Sequence, residues 1–128
     1  MKKRIESAIR LILENSGEGW FIILEDPAEE KFVQFAYDED TGLIFDLPFQ
    51  ALNTDELARA KQVLGEAGVG DESAGVFDGV DGEQIGEQRS FNAMVARDVD
   101  QAVDLVHRVF TYVYGFDEKT RFNVSIGR

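Results

Sequence analysis

Cysteine is absent from the chain, which excludes disulfides and thiolate metal sites within it. Proline is scarce: Pro27 and Pro48 are the two present, too few for a proline-rich linker or an extended polyproline segment. There is a single histidine, His107, so no multi-histidine metal cluster can form from this sequence. Positive charge is short as well. Thirteen Lys and Arg stand against 25 Asp and Glu, a net charge of −12. A phosphate-binding surface needs clustered cations, and the one cluster is Lys2, Lys3 and Arg4, so nucleic acid is not an expected partner.

Long apolar runs are missing too. No stretch approaches the roughly 18–20 consecutive apolar residues that span a bilayer. The opening MKKRIESAIRLILENSGEGW has a basic start, but Glu6, Arg10 and Glu14 interrupt its apolar residues and no small-residue cleavage site follows. It reads as a helix, and the protein as cytoplasmic, with no membrane partner.

What is present is enough for a core. At 128 residues with 44% apolar content, the chain reads as one domain over 1–128. Residues 4–15 carry Ile5, Ala8, Ile9, Ile12 and Leu13 on one helical stripe, stopped by Gly17 and Gly19. WFIIL, 20–24, reads as a buried strand, and EDPAEE as a turn. KFVQFAY and LIFDL flank DEDTG, 38–42, as a hairpin in which Gly42 is free to take positive φ. Asn53 caps a second helix with Glu56 in the reciprocal position, and Leu57, Ala60, Lys61 and Leu64 mark its inward stripe.

Residues 66–88 change character. They hold seven acids and no Lys or Arg, with five glycines beyond Gly68. They read as a long acidic loop with one short strand near 75–80. RSFNAMVAR, 89–97, alternates as a strand. Asp98 caps a third helix with Gln101 three residues on, whose stripe is Val99, Ala102, Val103, Val106, Val109, Phe110, Val113 and Tyr114. RFNVSIG reads as a last short strand at 122–126. The fold class is therefore α+β: an antiparallel, twisted sheet packed against helices, in the order α-β-β-β-α-(loop or short β)-β-α, with a C-terminal strand.

No catalytic signature emerges. Asp78, Asp81, Glu83 and Glu87 miss the ligand spacing of a calcium loop, and Asp38, Glu39, Asp40 and Gly42 place the glycine one residue early, so no metal is assigned. His107 lies off the apolar stripe beside Asp104 and Arg108, with no Ser or Cys partner. The glycines of 65–86 fit no nucleotide fingerprint. The expectation is no catalytic residue, no cofactor and no enzyme.

The strands say more. With Val33, Phe35, Leu43, Phe45, Phe91 and Val95 under the helices, alternation turns Phe32, Gln34, Ala36, Ile44, Asp46, Asn92 and Met94 to the other face. Phe21 and Ile23 join them, or Trp20 and Ile22 if the register is reversed. That face is more apolar than a solvated one, which predicts a cover: a second copy, a peptide, or the chain's own loop or third helix.

FVQFAYDEDTGLIFDLP as a central hairpin, TDELARAKQVLGEAGV as a middle helix and DVDQAVDLVHRVFTYVYGF as a closing helix resemble the superfamily of type III secretion chaperones and YbjN-like proteins (TY-Chap), small acidic bacterial proteins that bind other polypeptides. The resemblance covers most of the chain. It implies a sheet packed on helices, homodimerisation, and a protein or peptide client held on the second sheet face and its edges. It carries no catalytic motif. On this reading Phe32, Gln34, Ile44 and Met94 are the partner-binding residues. Two other functions fit the composition. One is an immunity- or antitoxin-like inhibitor whose acidic loop plugs a basic site, and the other is a small enzyme of unknown class, which needs a pocket with a convergent pair of perturbed acids or with His107 facing it.

Overall fold

A computed structural model describes residues 1–15, 17–77, 82 and 84–127, with side chains at all of these except 73–77 and 85–87. Six antiparallel strands form one sheet, and three helices bury their apolar stripes on one side of it. The elements run α1 (Lys2–Asn15), β1 (Phe21–Asp26), β2 (Lys31–Asp38), β3 (Gly42–Pro48), α2 (Thr54–Glu66), β4 (Asp71–Phe77), β5 (Gln84–Ala96), α3 (Val99–Arg108) and β6 (Asn123–Gly127). Across the sheet the order is β4-β5-β3-β2-β1-β6. The expected α+β architecture is the observed one, including the strand after the last helix. No helix among the described residues is long and apolar enough to cross a membrane.

Period-two alternation builds the core side. Val33, Phe35 and Tyr37 on β2 and Leu43, Phe45 and Leu47 on β3 are all buried, as are Phe91 and Val95 on β5. Phe35 and Phe45 pair across the two central strands, edge to face with centroids 5.8 Å apart. Burying each such ring contributes about 2–3 kcal/mol. On β1, Ile22 and Leu24 are fully buried, which turns Phe21 and Ile23 outward and settles the register of that strand. The helices meet this face through Ile5, Ile9 and Ile12 of α1, Ala60 and Leu64 of α2, and Val106, Val109 and Phe110 of the last helical run.

Both predicted capping residues cap, but the reciprocal bond forms only at Asn53, since the Asp98 N–H donates to the Val95 carbonyl at 2.9 Å. Asn53 Oδ1 accepts from the Glu56 N–H at 2.8 Å, and Glu56 Oε1 accepts from the Asn53 N–H at 3.0 Å, a reciprocal pair that satisfies two free helix donors. Asp98 accepts from the Gln101 N–H at 3.1 Å. Past Arg108 the helix widens to π-type bonding over Val109–Val113, which keeps Val113 and Tyr114 buried and leaves Tyr112 exposed.

Three expectations need correction. The described part of 66–88 is mostly not loop: α2 runs to Glu66, and β4 pairs with β5 from Asp71 opposite Phe91 to Phe77 opposite Gln84, while 78–80 of the expected short strand lie outside the described residues. β5 is thirteen residues long, and β3 pairs only with Ser90–Ala96, so its first half has no partner except β4. Acids and glycine have weak strand propensity, and backbone hydrogen bonding to the otherwise unpartnered length of β5 outweighs it. Lys61 is exposed rather than inward. The buried place on α2 belongs to Glu56, made tolerable by its cap bonds and by Lys31 Nζ at 3.1 Å from Oε2. Leu105, outside the predicted stripe, is buried on α3.

Candidate functional site

The side of the sheet away from the helices is built by three hydrogen-bonded rows. In the first, Met94 on β5 stands opposite Ile44 on β3, Ile44 opposite Ala36 on β2, and Ala36 opposite Phe21 on β1. Four strands at about 4.8 Å spacing make this an apolar row about 15 Å long. Its two ends are its most open points: Met94 is 62% exposed and Phe21 53%. The second row runs Asn92, Asp46, Gln34, Ile23 and Ser125. Within it Gln34 Nε2 donates to Asp46 Oδ2 at 2.5 Å, which fixes both side chains flat across β2 and β3. The third sets Phe32 beside Glu25, with Asn123 beyond.

All four sequence-predicted contact residues, Phe32, Gln34, Ile44 and Met94, therefore lie on this one face, with Phe32, Gln34 and Ile44 half-buried by their strand neighbours. Phe21 and Ile23 complete it. The sequence offered those two only as one of two registers; the signal that selects them is the burial of Ile22 and Leu24. Among the described residues no helix packs on this side, since all three helical stripes enter the opposite core. Residues 71–77 do not cover the face either, because as β4 they extend the sheet edgewise instead of folding over it. A shallow concavity of about 340 Å³ lies over Ile44, Asn92 and Met94, with Glu72 of β4 at its rim.

The other candidate sites come out differently. His107 is half-buried and lines a cleft of about 490 Å³ between the helices, with Lys2, Arg59, Glu66, Asp104 and Tyr112. Burial and then the Lys2 ammonium hold its pKa below the ordinary value. It stacks edge-on against Tyr112 at 6.4 Å. Asp104 is already taken by Arg108 Nε at 2.8 Å, and the Arg59 guanidinium is spent on the Val113 carbonyl at 2.8 and 3.1 Å. No Ser, Thr or Cys lines this cleft, so a nucleophile–base pair is not assembled there.

The acidic hairpin loop Asp38–Gly42 is organised by its own first residue and by Glu18, whose carboxylate accepts from the Glu39 N–H. Asp38 Oδ1 accepts from the Asp40 and Thr41 N–H groups at 2.8 and 3.3 Å, which closes an Asx-type turn. No group of three or more Asp, Glu or His among the described residues is arranged to hold a metal ion. Asp78, Asp81 and Glu83 lie outside the described residues. Asp71, in the same acidic segment, is bonded to Arg89.

No family model, curated protein or solved structure matches the chain.

Proposed function

We propose that the protein is a non-catalytic module that binds a polypeptide on the open face of its sheet. The observation that carries this is the row Met94–Ile44–Ala36–Phe21: four apolar positions in line across four strands, with no described element packed over them. Exposed side chains scattered singly need no explanation, but an ordered row with exposed ends does. Phe32, Gln34, Ile44 and Met94 are its contact residues, with Phe21 and Ile23 beside them. The free edges of β4 and β6 offer strand pairing to the same partner.

The likeness to secretion chaperones and YbjN-like proteins supports this reading through the run of a helix, a three-stranded meander, a helix, further strands and a long closing helix. A cytoplasmic setting suits a chain without cysteine. Against the enzyme alternative stands the His107 cleft, where Asp104 is bonded to Arg108, Arg59 to the Val113 carbonyl, and no Ser, Thr or Cys lines the wall. Against the inhibitor alternative stands the pairing of Asp71–Phe77 into the sheet, which leaves this part of the acidic segment no free loop with which to plug a site.

The test is affinity purification of the tagged protein from its native extract beside a Phe32→Asp/Met94→Asp double variant. A crosslinkable analogue replaces Met94 in a third bait. A polypeptide that crosslinks at position 94 and is lost from the double variant supports the reading. The same proteins on wild type and double variant, with no crosslink, overturn it.

A further inference from the structure

Resting on that reading, we infer that the segment received by the open face is basic: a stretch of a partner protein carrying Lys or Arg, with aliphatic stems on Ile44, Met94 and Phe32 and charged heads at Glu72, Asp46 and Glu25.

Charge on the sheet is sorted by side. The six strands contain two cationic residues, Lys31 and Arg89, and both turn to the helix side. Lys31 reaches Glu56 at 3.1 Å and lies over the Tyr114 ring. Arg89 is held by Asp71 and by the face of Phe49. Arg97, just past β5, sits over Tyr37. The open face keeps the opposite sign. Strand register places Glu25, Asp46 and Glu72 on it, and no described Lys or Arg pairs with any of the three. Asp46 accepts one hydrogen bond, from Gln34, and retains its other carboxylate oxygen.

The apolar and acidic groups are interleaved in a way that fits long cationic side chains. Lys and Arg lay their methylene stems along apolar surface and keep the charge at a polar rim. The concavity over Ile44 and Met94 has that form, with its apolar floor and Glu72 at its edge. Glu25 stands directly across from Phe32 in the neighbouring strand, a second pairing of the same kind. An exposed thioether such as Met94 adapts to varied stems.

The same pattern weighs against a second copy as the occupant. A face-to-face dimer would bring acids against acids with no described cation on either face, and like charges placed across an interface oppose association. An acidic client meets the same repulsion.

The test uses two short synthetic peptides, one alternating lysine with valine and one alternating glutamate with valine. Binding is followed by fluorescence anisotropy, and contacts are mapped from NMR shifts. Two triple variants with equal change in net charge separate the face from bulk attraction: Glu25→Gln/Asp46→Asn/Glu72→Gln on the face, and Glu14→Gln/Glu29→Gln/Glu39→Gln away from it. The expected result is lysine-peptide binding that perturbs Ile44 and Met94 and weakens about tenfold or more in the face variant only. Equal weakening in both triple variants overturns the inference, because bulk charge then suffices. Equal binding of both peptides, lost in Phe32→Asp/Met94→Asp, also overturns it while the polypeptide-binding reading stands. If neither peptide binds and sedimentation shows a dimer that Met94→Asp splits, both fall and the face belongs to a second copy.

Discussion

The Tyr114 hydroxyl donates to the backbone carbonyl of Phe32 at 2.5 Å, across 82 residues of sequence. It ties the end of the last helical run to β2 from the core side, behind the strand whose outer residues Phe32 and Gln34 form part of the open face. Tyr114→Phe removes the donor and leaves a carbonyl short of a partner, at an expected cost of about 1–2 kcal/mol in urea unfolding. Burial also pushes the Tyr114 phenol above its ordinary value of 10. A phenol that ionises later in the folded than in the unfolded state gives stability that is present below pH 10 and lost as pH rises above it. The wild type is therefore expected to melt earlier above pH 10, and Tyr114→Phe to lack that component of the loss.

Among the described residues Glu56 is the one charged residue that is buried, and it serves both the α2 cap and Lys31. Glu56→Ala removes an acceptor from the Asn53 N–H and an ion-pair partner from Lys31, for an expected loss of about 1–3 kcal/mol. Glu56→Gln keeps the cap bond and loses only the charge. Thermal melts of the two variants are expected to rank wild type, then Gln, then Ala; Ala at or above Gln would contradict the capping role.

Gly42 opens β3 at φ +81, where a Cβ would stand 2.6 Å from the Ala96 carbonyl carbon. The neighbour is backbone and cannot swing away. Gly42→Ala is expected to destabilise by more than about 1 kcal/mol, from the left-handed φ and from the close β3–β5 approach together. Amide exchange is expected to quicken first at Leu43 and Ala96, and unchanged exchange there would count against a local cause.

His107 adds an acid-sensitive component. Its pKa lies below 6.5, first from burial, then from Lys2, with Glu118 and Asp104 pulling the other way. A depressed histidine binds its proton more tightly unfolded than folded. Its stabilising contribution is therefore present above 6.5 and lost as pH falls below that value. His107→Gln is expected to flatten the stability profile just below pH 6.5. Glu118, lowered by the N-terminal ammonium, acts in the same direction only below its ordinary 4.5, so the two windows separate. A profile that His107→Gln leaves unchanged would refute the assignment.

Much of the fold was legible because local rules agreed with global packing. Asn53, Glu56 and Asp98 cap as their types and spacing demand, and the alternation in 31–47 divides core from open face residue by residue. Phe32, Gln34, Ile44 and Met94 could be placed on one side from parity alone. Parity did not reveal which residues become neighbours. Phe21 and Met94 close the two ends of one row only because β3 and β2 lie between their strands, an order that no local pattern encodes.

The sequence by itself determined the binary pattern, the caps and the absence of thiol chemistry, since each depends on residue type within a few positions. Only the tertiary structure decided that an acid- and glycine-rich segment pairs as β4, because backbone hydrogen bonding with an unpartnered length of β5 outweighs weak strand propensity. Parity turns Lys31 with Val33 and Arg89 with Phe91 to the helix side, and only chain folding brings Glu56 and Asp71 there as their partners. The acidic sign of that face is thus a property of strand order and register, not of composition.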